Sequence, residues 1–224
     1  MIKVLIFDFD GVIAESVDVK TQAFRQLFQD NYPSKTKQIV DFHLANGGMS
    51  RFDKFRHIYK NILKEELSEN LFKALCDRFN RLVVDDVIAC PGVKGVNDFL
   101  EKYSPKMPMY IVSATPDAEI KEIVAKRSLS KYFLEVFGSP TKKADIIKAI
   151  LLKHSLTPKE AIFIGDSSND YQASLEANVF FAARIIPDNE QWLKSSKNIF
   201  SFTDFLEFAP KLENFLQNPK PEGK

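Results

Sequence analysis

The segment "VLIFDFDGVIAES" (residues 4–16) runs an apolar stretch of strand length directly into two acids, Asp8 and Asp10, and then a glycine. Residues 2–7, "IKVLIF", are apolar and β-branched without alternation, the pattern of a strand buried on both faces. Carboxylates that follow such a strand stand at the carboxyl edge of a sheet, where open α/β folds bind ligands. Three further runs repeat the pattern: "MYIVSA" (109–114), "AIFIGD" (161–166) and "VFFAAR" (179–184). Between them lie helical stripes. Ile120, Ile123 and Val124 recur at helical spacing in "DAEIKEIVAKR" (117–127), as do Ile146, Ile147, Ile150 and Leu151 in "KADIIKAILLKH" (143–154).

Alternating strands and one-sided helices predict an α/β protein: a Rossmann-like three-layer core around a parallel sheet. Residues 17–90 read differently. Ala23, Phe24, Leu27 and Phe28, then Leu71, Leu75, Phe79 and Leu82, form helical stripes, and nothing there reads as a buried parallel strand. Pro33 in "NYPSKT" and Gly47–Gly48 in "ANGGMS" divide this stretch into helices, and "CPGV" (90–93) returns the chain to the α/β part. The expected organisation is a core of residues 1–16 and 91–217, an inserted α-helical module at 17–90, and a flexible tail at 218–224.

The totals narrow the function. With 45% hydrophobic and 27% charged residues the chain has ordinary globular composition. Lys+Arg 31 against Asp+Glu 30 gives a net charge of +1, which offers no electrostatic case for a nucleic-acid partner. Cys76 and Cys90 lack the spacing of a zinc or redox pair, and no apolar run has membrane-spanning length. A cytoplasmic location without membrane contact is expected. His43, His57 and His154 lack metal-ligand spacing and read as structural or surface residues.

Polar residues gather at three strand ends: Asp8 and Asp10 at the first, Ser113 and Thr115 in "IVSAT", and Asp166 and Asp170 in "FIGDSSND". Carboxylates brought to one cleft repel each other unless a cation intervenes, and an all-oxygen donor set suits Mg²⁺ better than zinc. Thr115, just before Pro116, also fits a cap for the following helix.

In this order, "DFDGV", an apolar strand ending in Ser113, the lysines of "SPTKKAD" and "GDSSND" resemble the haloacid dehalogenase-like phosphohydrolases over almost the whole chain. The resemblance implies a mobile cap at 17–90 and a Mg²⁺-dependent phosphatase acting on a small phosphorylated metabolite. It makes Asp8 the nucleophile and Asp10 the general acid and base. Mg²⁺ would be held by the Asp8 side chain, the Asp10 carbonyl and Asp166, with Asp170 in support. Ser113 and a lysine would bind the phosphoryl group. Lys143 is favoured by its place before "ADIIKAIL", with Lys142 as the alternative. The amides of Phe9, Asp10, Gly11 and Ala114 would face phosphate oxygens, and Gly11 would serve a tight reversal.

Haloacid dehalogenases proper lack the second acid of "DFD", so Asp10 favours phosphate esters over organohalides. Glu15 departs from the aspartate many relatives carry, which is expected to alter the hinge into the cap more than the chemistry. In "NGGMSRFDKFR" the plainer reading is a flexible helix connection with a solvated basic face. The sharper one has Arg51 reaching the distal end of a substrate. A β-phosphoglucomutase-like sugar phosphomutase and a non-catalytic phosphate-binding protein are the alternatives, and a monomer suffices for every role named.

Overall fold

The structure is a computed structural model, and it describes residues 1–186, 190–194 and 196–218. The expected tail lies outside the described residues except for Asn218. The strands are β1 (Val4–Phe7), β2 (Met109–Pro116), β3 (Glu135–Ser139), β4 (Ala161–Gly165), β5 (Phe180–Arg184) and β6 (Phe200–Phe202). They form one sheet of order β3-β2-β1-β4-β5-β6 in which every pairing is parallel. The expected Rossmann-like α/β core is therefore present. Chain order reverses at β1, which pairs with β2 on one side and β4 on the other, and a switch of this kind opens a crevice at the carboxyl ends of the strands.

Alternation along β1 builds the layers. Leu5 and Phe7 enter one buried cluster with α5 (Val96–Tyr103), α6 (Asp117–Lys126) and α9 (Phe205–Gln217). Val4 and Ile6 enter another with α7 (Lys143–Lys153) and α8 (Ser168–Ala177). Both faces are covered, which is why the strands are apolar throughout. The edge strands β3 and β6 escape the sequence reading for a physical reason: they are short and partly exposed, and β3 carries Glu135 and Gly138.

Between β1 and α5 the described structure is helical: α1 (Val17–Phe28), α2 (Pro33–Ala45), α3 (Arg51–His57), which continues as a wider helical turn over Ile58–Leu63, and α4 (Glu69–Ala89). Phe24, Phe28, Phe55 and Phe79 pack there at centroid distances of 4.9–6.4 Å. The stripe on α4 is shifted from expectation. Leu75, Phe79, Val83 and Val87 are buried, whereas Leu71 in the exposed first turn is not and Leu82 is half-buried, so the packed row follows i, i+4 spacing.

The two crossings into and out of this helical segment lie side by side. The Glu15 amide donates to the Pro91 carbonyl at 3.0 Å and the Val93 amide to that of Ile13 at 3.0 Å, bridging Ala14 and Gly92 antiparallel. Among the described residues no helix is long and apolar enough to cross a membrane.

Candidate active site

Asp8 follows β1 directly, and its amide extends the ladder by donating to the Ile164 carbonyl at 2.9 Å. The chain then turns tightly. Phe9 accepts from the amides of Val12, Ile13 and Ala14, and Gly11 closes the reversal at φ +72°, a left-handed conformation that side chains resist. A Cβ on Gly11 would stand 2.3 Å from Asp166 Oδ2, so this turn lies directly under the carboxylate that β4 delivers.

Asp8, Asp166 and Asp170 are all buried, and each offers a carboxylate oxygen within 4.8 Å of the others. The Asp8 Oδ1 accepts from the Phe9 amide at 2.7 Å, and Oδ2 lies 2.9 Å from Lys143 Nζ. Lys143 also donates to Asp170 Oδ1 at 2.5 Å. It is Lys143, the first residue of α7, that enters the site; Lys142, at the position just before the helix, is exposed. The second Asp170 oxygen accepts from the Ser167 hydroxyl at 2.5 Å, inside a reciprocal cap at the start of α8. Asp170 therefore anchors Lys143 and the loop from two sides.

The electrostatics follow from this crowding. Burial, then the neighbouring Asp170 charge, push the Asp8 carboxyl up to about 7 against the opposing pull of Lys143. Asp166 is raised well above the usual carboxylate range by burial and by Asp170 and Asp8. On Lys143 burial works against the charge, yet the two carboxylates prevail and hold the ammonium firmly protonated. Among the described residues, three acids gather around one buried lysine, and this set of hard oxygen donors fits Mg²⁺.

Asp10 stands apart from that cluster. Its Oδ1 accepts from the Ser16 hydroxyl at 2.6 Å, and its Oδ2 from Lys20 Nζ at 2.5 Å and the Thr115 hydroxyl at 3.0 Å. Burial opposes its charge, but Lys20 and these hydrogen bonds outweigh it and hold the pKa below the ordinary value. Thr115 also accepts from Lys20 at 2.8 Å, so its hydroxyl serves the site and caps no helix. Ser113 is buried with its Oγ accepting the Thr115 amide at 3.1 Å, and Ala114 and Thr115 line the cavity at that strand end.

That cavity, about 460 Å³, lies between the strand ends and the helical segment. The expectation of a solvated basic face after Gly48 is corrected: Arg51 and Lys54 are buried and line the cavity, and of the three cations only Arg56 is exposed. Packing α3 against α1 and α4 turns them inward. Arg51 is held by Glu119 and stacks 4.5 Å over Phe79, and Lys54 donates to His43. His43, expected to be structural or surface, is buried and lines the cavity, while His57 stacks on Phe42 and His154 meets Tyr110 away from it. Gly47 and Gly48 press against the core: the Asn169 side chain donates to the Gly47 carbonyl at 2.5 Å, and a Cβ on Gly48 would fall 2.5 Å from Ser167 Oγ. Glu15 pairs with Arg184, whose guanidinium also donates to the Gly11 carbonyl at 2.8 Å, so Arg184 links Glu15 to the turn that carries the acids.

Lys20, His43 and Lys54 escape the sequence reading as site residues, as does Arg184. The first three repeat the register of the apolar stripes on their own helices: Lys20 with Phe24 and Leu27, His43 with Ile39 and Val40, Lys54 with Phe55 and Ile58. A polar residue in such a register was the available signal.

A parallel sheet that brings an acidic cluster, a buried lysine and a second, separately held aspartate to its switch point has the arrangement of a catalytic site in an open α/β fold. The family profile for "Haloacid dehalogenase-like hydrolase" matches residues 5–184, and the chain belongs to that family, as a phosphatase. It is 29% identical over 185 residues to a phosphoglycolate phosphatase of Aliivibrio fischeri, covering 79% of this chain and 81% of the relative. A phosphorylated carbohydrates phosphatase of Thermotoga maritima is 22% identical over 180 residues, covering 78% and 81%. The fold also matches a β-phosphoglucomutase from Clostridium difficile with a TM-score of 0.75 at 20% identity, over 97% of this chain and 98% of that one.

Gly11→Ala tests the closeness of turn and acid. The left-handed backbone alone costs roughly 1–2 kcal/mol, and the new Cβ must displace the Asp166 carboxylate. Phosphate release is expected to fall about 100-fold in a protein that still folds, as misplacement by an ångström can do. Activity within threefold of the parent would show that the turn does not set the Asp166 position.

Proposed function

We propose that this phosphatase is Mg²⁺-dependent, acts on a small phosphorylated metabolite, and forms an aspartyl-phosphate on Asp8, with residues 17–90 acting as a cap. The observation that carries the reading is the division of labour between two aspartates: Asp8 lies in the acidic cluster against Lys143, whereas Asp10 is held apart by Ser16, Lys20 and Thr115. An Asp8 oxygen would bond to phosphorus while the bond from phosphorus to the leaving oxygen breaks. The leaving oxygen takes a proton from the Asp10–Lys20 pair, which holds one on the ammonium when Asp10 is ionised. Water then attacks phosphorus, its proton returns to that pair, and cleavage of the Asp8–phosphorus bond releases inorganic phosphate.

Asp8 and Asp166, with the Asp10 carbonyl, would hold the metal, and Asp170 would support it by fixing Lys143 and the α8 loop. When bound, Mg²⁺ supplies charge neutralisation for phosphoryl oxygens approaching a carboxylate. Lys143 would neutralise charge in the same place, and the amide face of the Gly11 turn and Ala114 would meet phosphate oxygens. The contacts of Gly47–Gly48 with Ser167 and Asn169, and of Lys20 with Asp10, support a cap that excludes water when it closes.

The test is phosphate release from a panel of phosphorylated metabolites with and without Mg²⁺. Release that requires the metal is expected. Conversion of one sugar phosphate into another without free phosphate would replace this reading with a mutase, and tight binding without turnover would replace it with a binding protein.

A further inference from the structure

The cations around the cavity are not equivalent. Lys20 is paired with Asp10, Arg51 with Glu119, Arg184 with Glu15, and Lys143 with Asp8 and Asp170. Lys54 differs. It is 4% exposed, and among the described residues it has no carboxylate within ion-pair distance. Its ammonium donates to His43 Nδ1 at 2.9 Å and to the His43 carbonyl at 3.1 Å, and lies 5.6 Å from the centre of the Phe24 ring.

An ammonium can only donate, so the imidazole accepts at Nδ1 and carries its own proton on Nε2. It is kept neutral by burial and by Lys54 and Lys20, which hold its pKa well below the ordinary value. A buried cation whose nearest partner is a neutral ring is costly, and at this position a methionine would pack without that cost. Burial and the Lys20 charge, against the smaller opposing pull of Asp10 and Asp166, accordingly push the Lys54 ammonium down to about 7. An anion arriving in the cavity would supply the missing partner.

We infer that Lys54, seated on His43, binds a second anionic group on the leaving-group side of the substrate, so that the preferred substrates are small phosphate esters carrying a carboxylate or a second phosphoryl group. This rests on the phosphatase reading of the same cavity. The phosphoryl end belongs at the strand ends, where Asp8 and Lys143 meet; Lys54 lines the same cavity from α3, in the helical segment. A space of about 460 Å³ admits a small metabolite that reaches both. Arg51, the expected distal contact, is already neutralised by Glu119, which also accepts from Asn80 at 2.6 Å.

The experiment compares kcat/KM for phosphoglycolate, ethane-1,2-diyl bisphosphate and ethyl phosphate, in the parent and in Lys54→Met, with Lys54→Gln as a second variant should the first fold poorly. The parent is expected to prefer at least one of the anionic esters over ethyl phosphate by tenfold or more, mainly through KM, and the variants to lower that ratio at least tenfold. Which anionic ester gains identifies the group. A parent without preference, or a ratio unchanged in the variants, overturns the inference. If no ester is hydrolysed with Mg²⁺, the phosphatase reading fails separately, and calorimetric binding of the same three esters decides the anion site: a preference lost in Lys54→Met upholds it, and equal binding overturns it.

Discussion

Asp8→Asn is expected to lower Mg²⁺-dependent phosphate release by about 10⁴–10⁶-fold, the scale seen when a nucleophile is removed from an otherwise intact site. The same change is expected to make the metal-free protein more stable at pH 8. The reason is the crowding of Asp8, Asp166 and Asp170, which pushes the Asp8 carboxyl up to about 7. A carboxyl raised by folding binds a proton in the native state that the unfolded chain has already lost, so native stability declines as pH rises from about 4 to about 7. Asparagine removes the charge and keeps an acceptor for the Phe9 amide, at the loss of the ion pair with Lys143. The net gain is about 1–3 kcal/mol, or roughly 3–8 °C in melting temperature for a chain of this size. The difference between variant and parent should vanish near pH 4 and grow toward pH 8, and Mg²⁺ should narrow it by stabilising the parent more. Melting curves at several pH values check the electrostatics. Retention of a tenth of the parent's turnover would sink the nucleophile assignment.

Lys143→Met removes a cation placed between two of these acids, 2.9 Å from Asp8 and 2.5 Å from Asp170. Breaking a buried pair leaves its charges uncompensated, so a loss of about 3–5 kcal/mol is expected in the metal-free protein above pH 7. Turnover should fall about 10²–10³-fold, the usual effect of deleting a group that stabilises transferred charge. Adding Asp170→Asn should recover part of the stability, because the carboxylate left without its ammonium is then neutral, and recover none of the turnover. A double-mutant cycle measures this coupling. Strict additivity of the two stability changes would show that Lys143 and Asp170 do not act as a pair.

The sheet centre was readable because β1, β2, β4 and β5 are buried on both faces and leave unbroken apolar runs, while β3 and β6 leave none. The acids were readable because each follows such a run. Cavity residues from the helices were harder. Lys20, His43 and Lys54 look like ordinary helix residues until their register with the apolar stripes is noticed, and only the packing of α1, α2 and α3 shows that this register leads into the cavity. Arg51 was noticed, yet its pairing partner Glu119 lies 68 residues away on α6, a distance no local pattern spans.

The bridge between Ala14 and Gly92 makes the points of departure and return neighbours in space. Seen from the sheet, everything from Glu15 to Pro91 is one long loop whose ends are already fastened together by backbone hydrogen bonds. Lys54 and His43, which line the cavity, belong to that loop, whereas Asp8, Asp166, Lys143 and Asp170 belong to the frame. Substitutions that retune selectivity can therefore accumulate in that loop so long as Ser16 and Lys20, which reach back from it to Asp10, are kept.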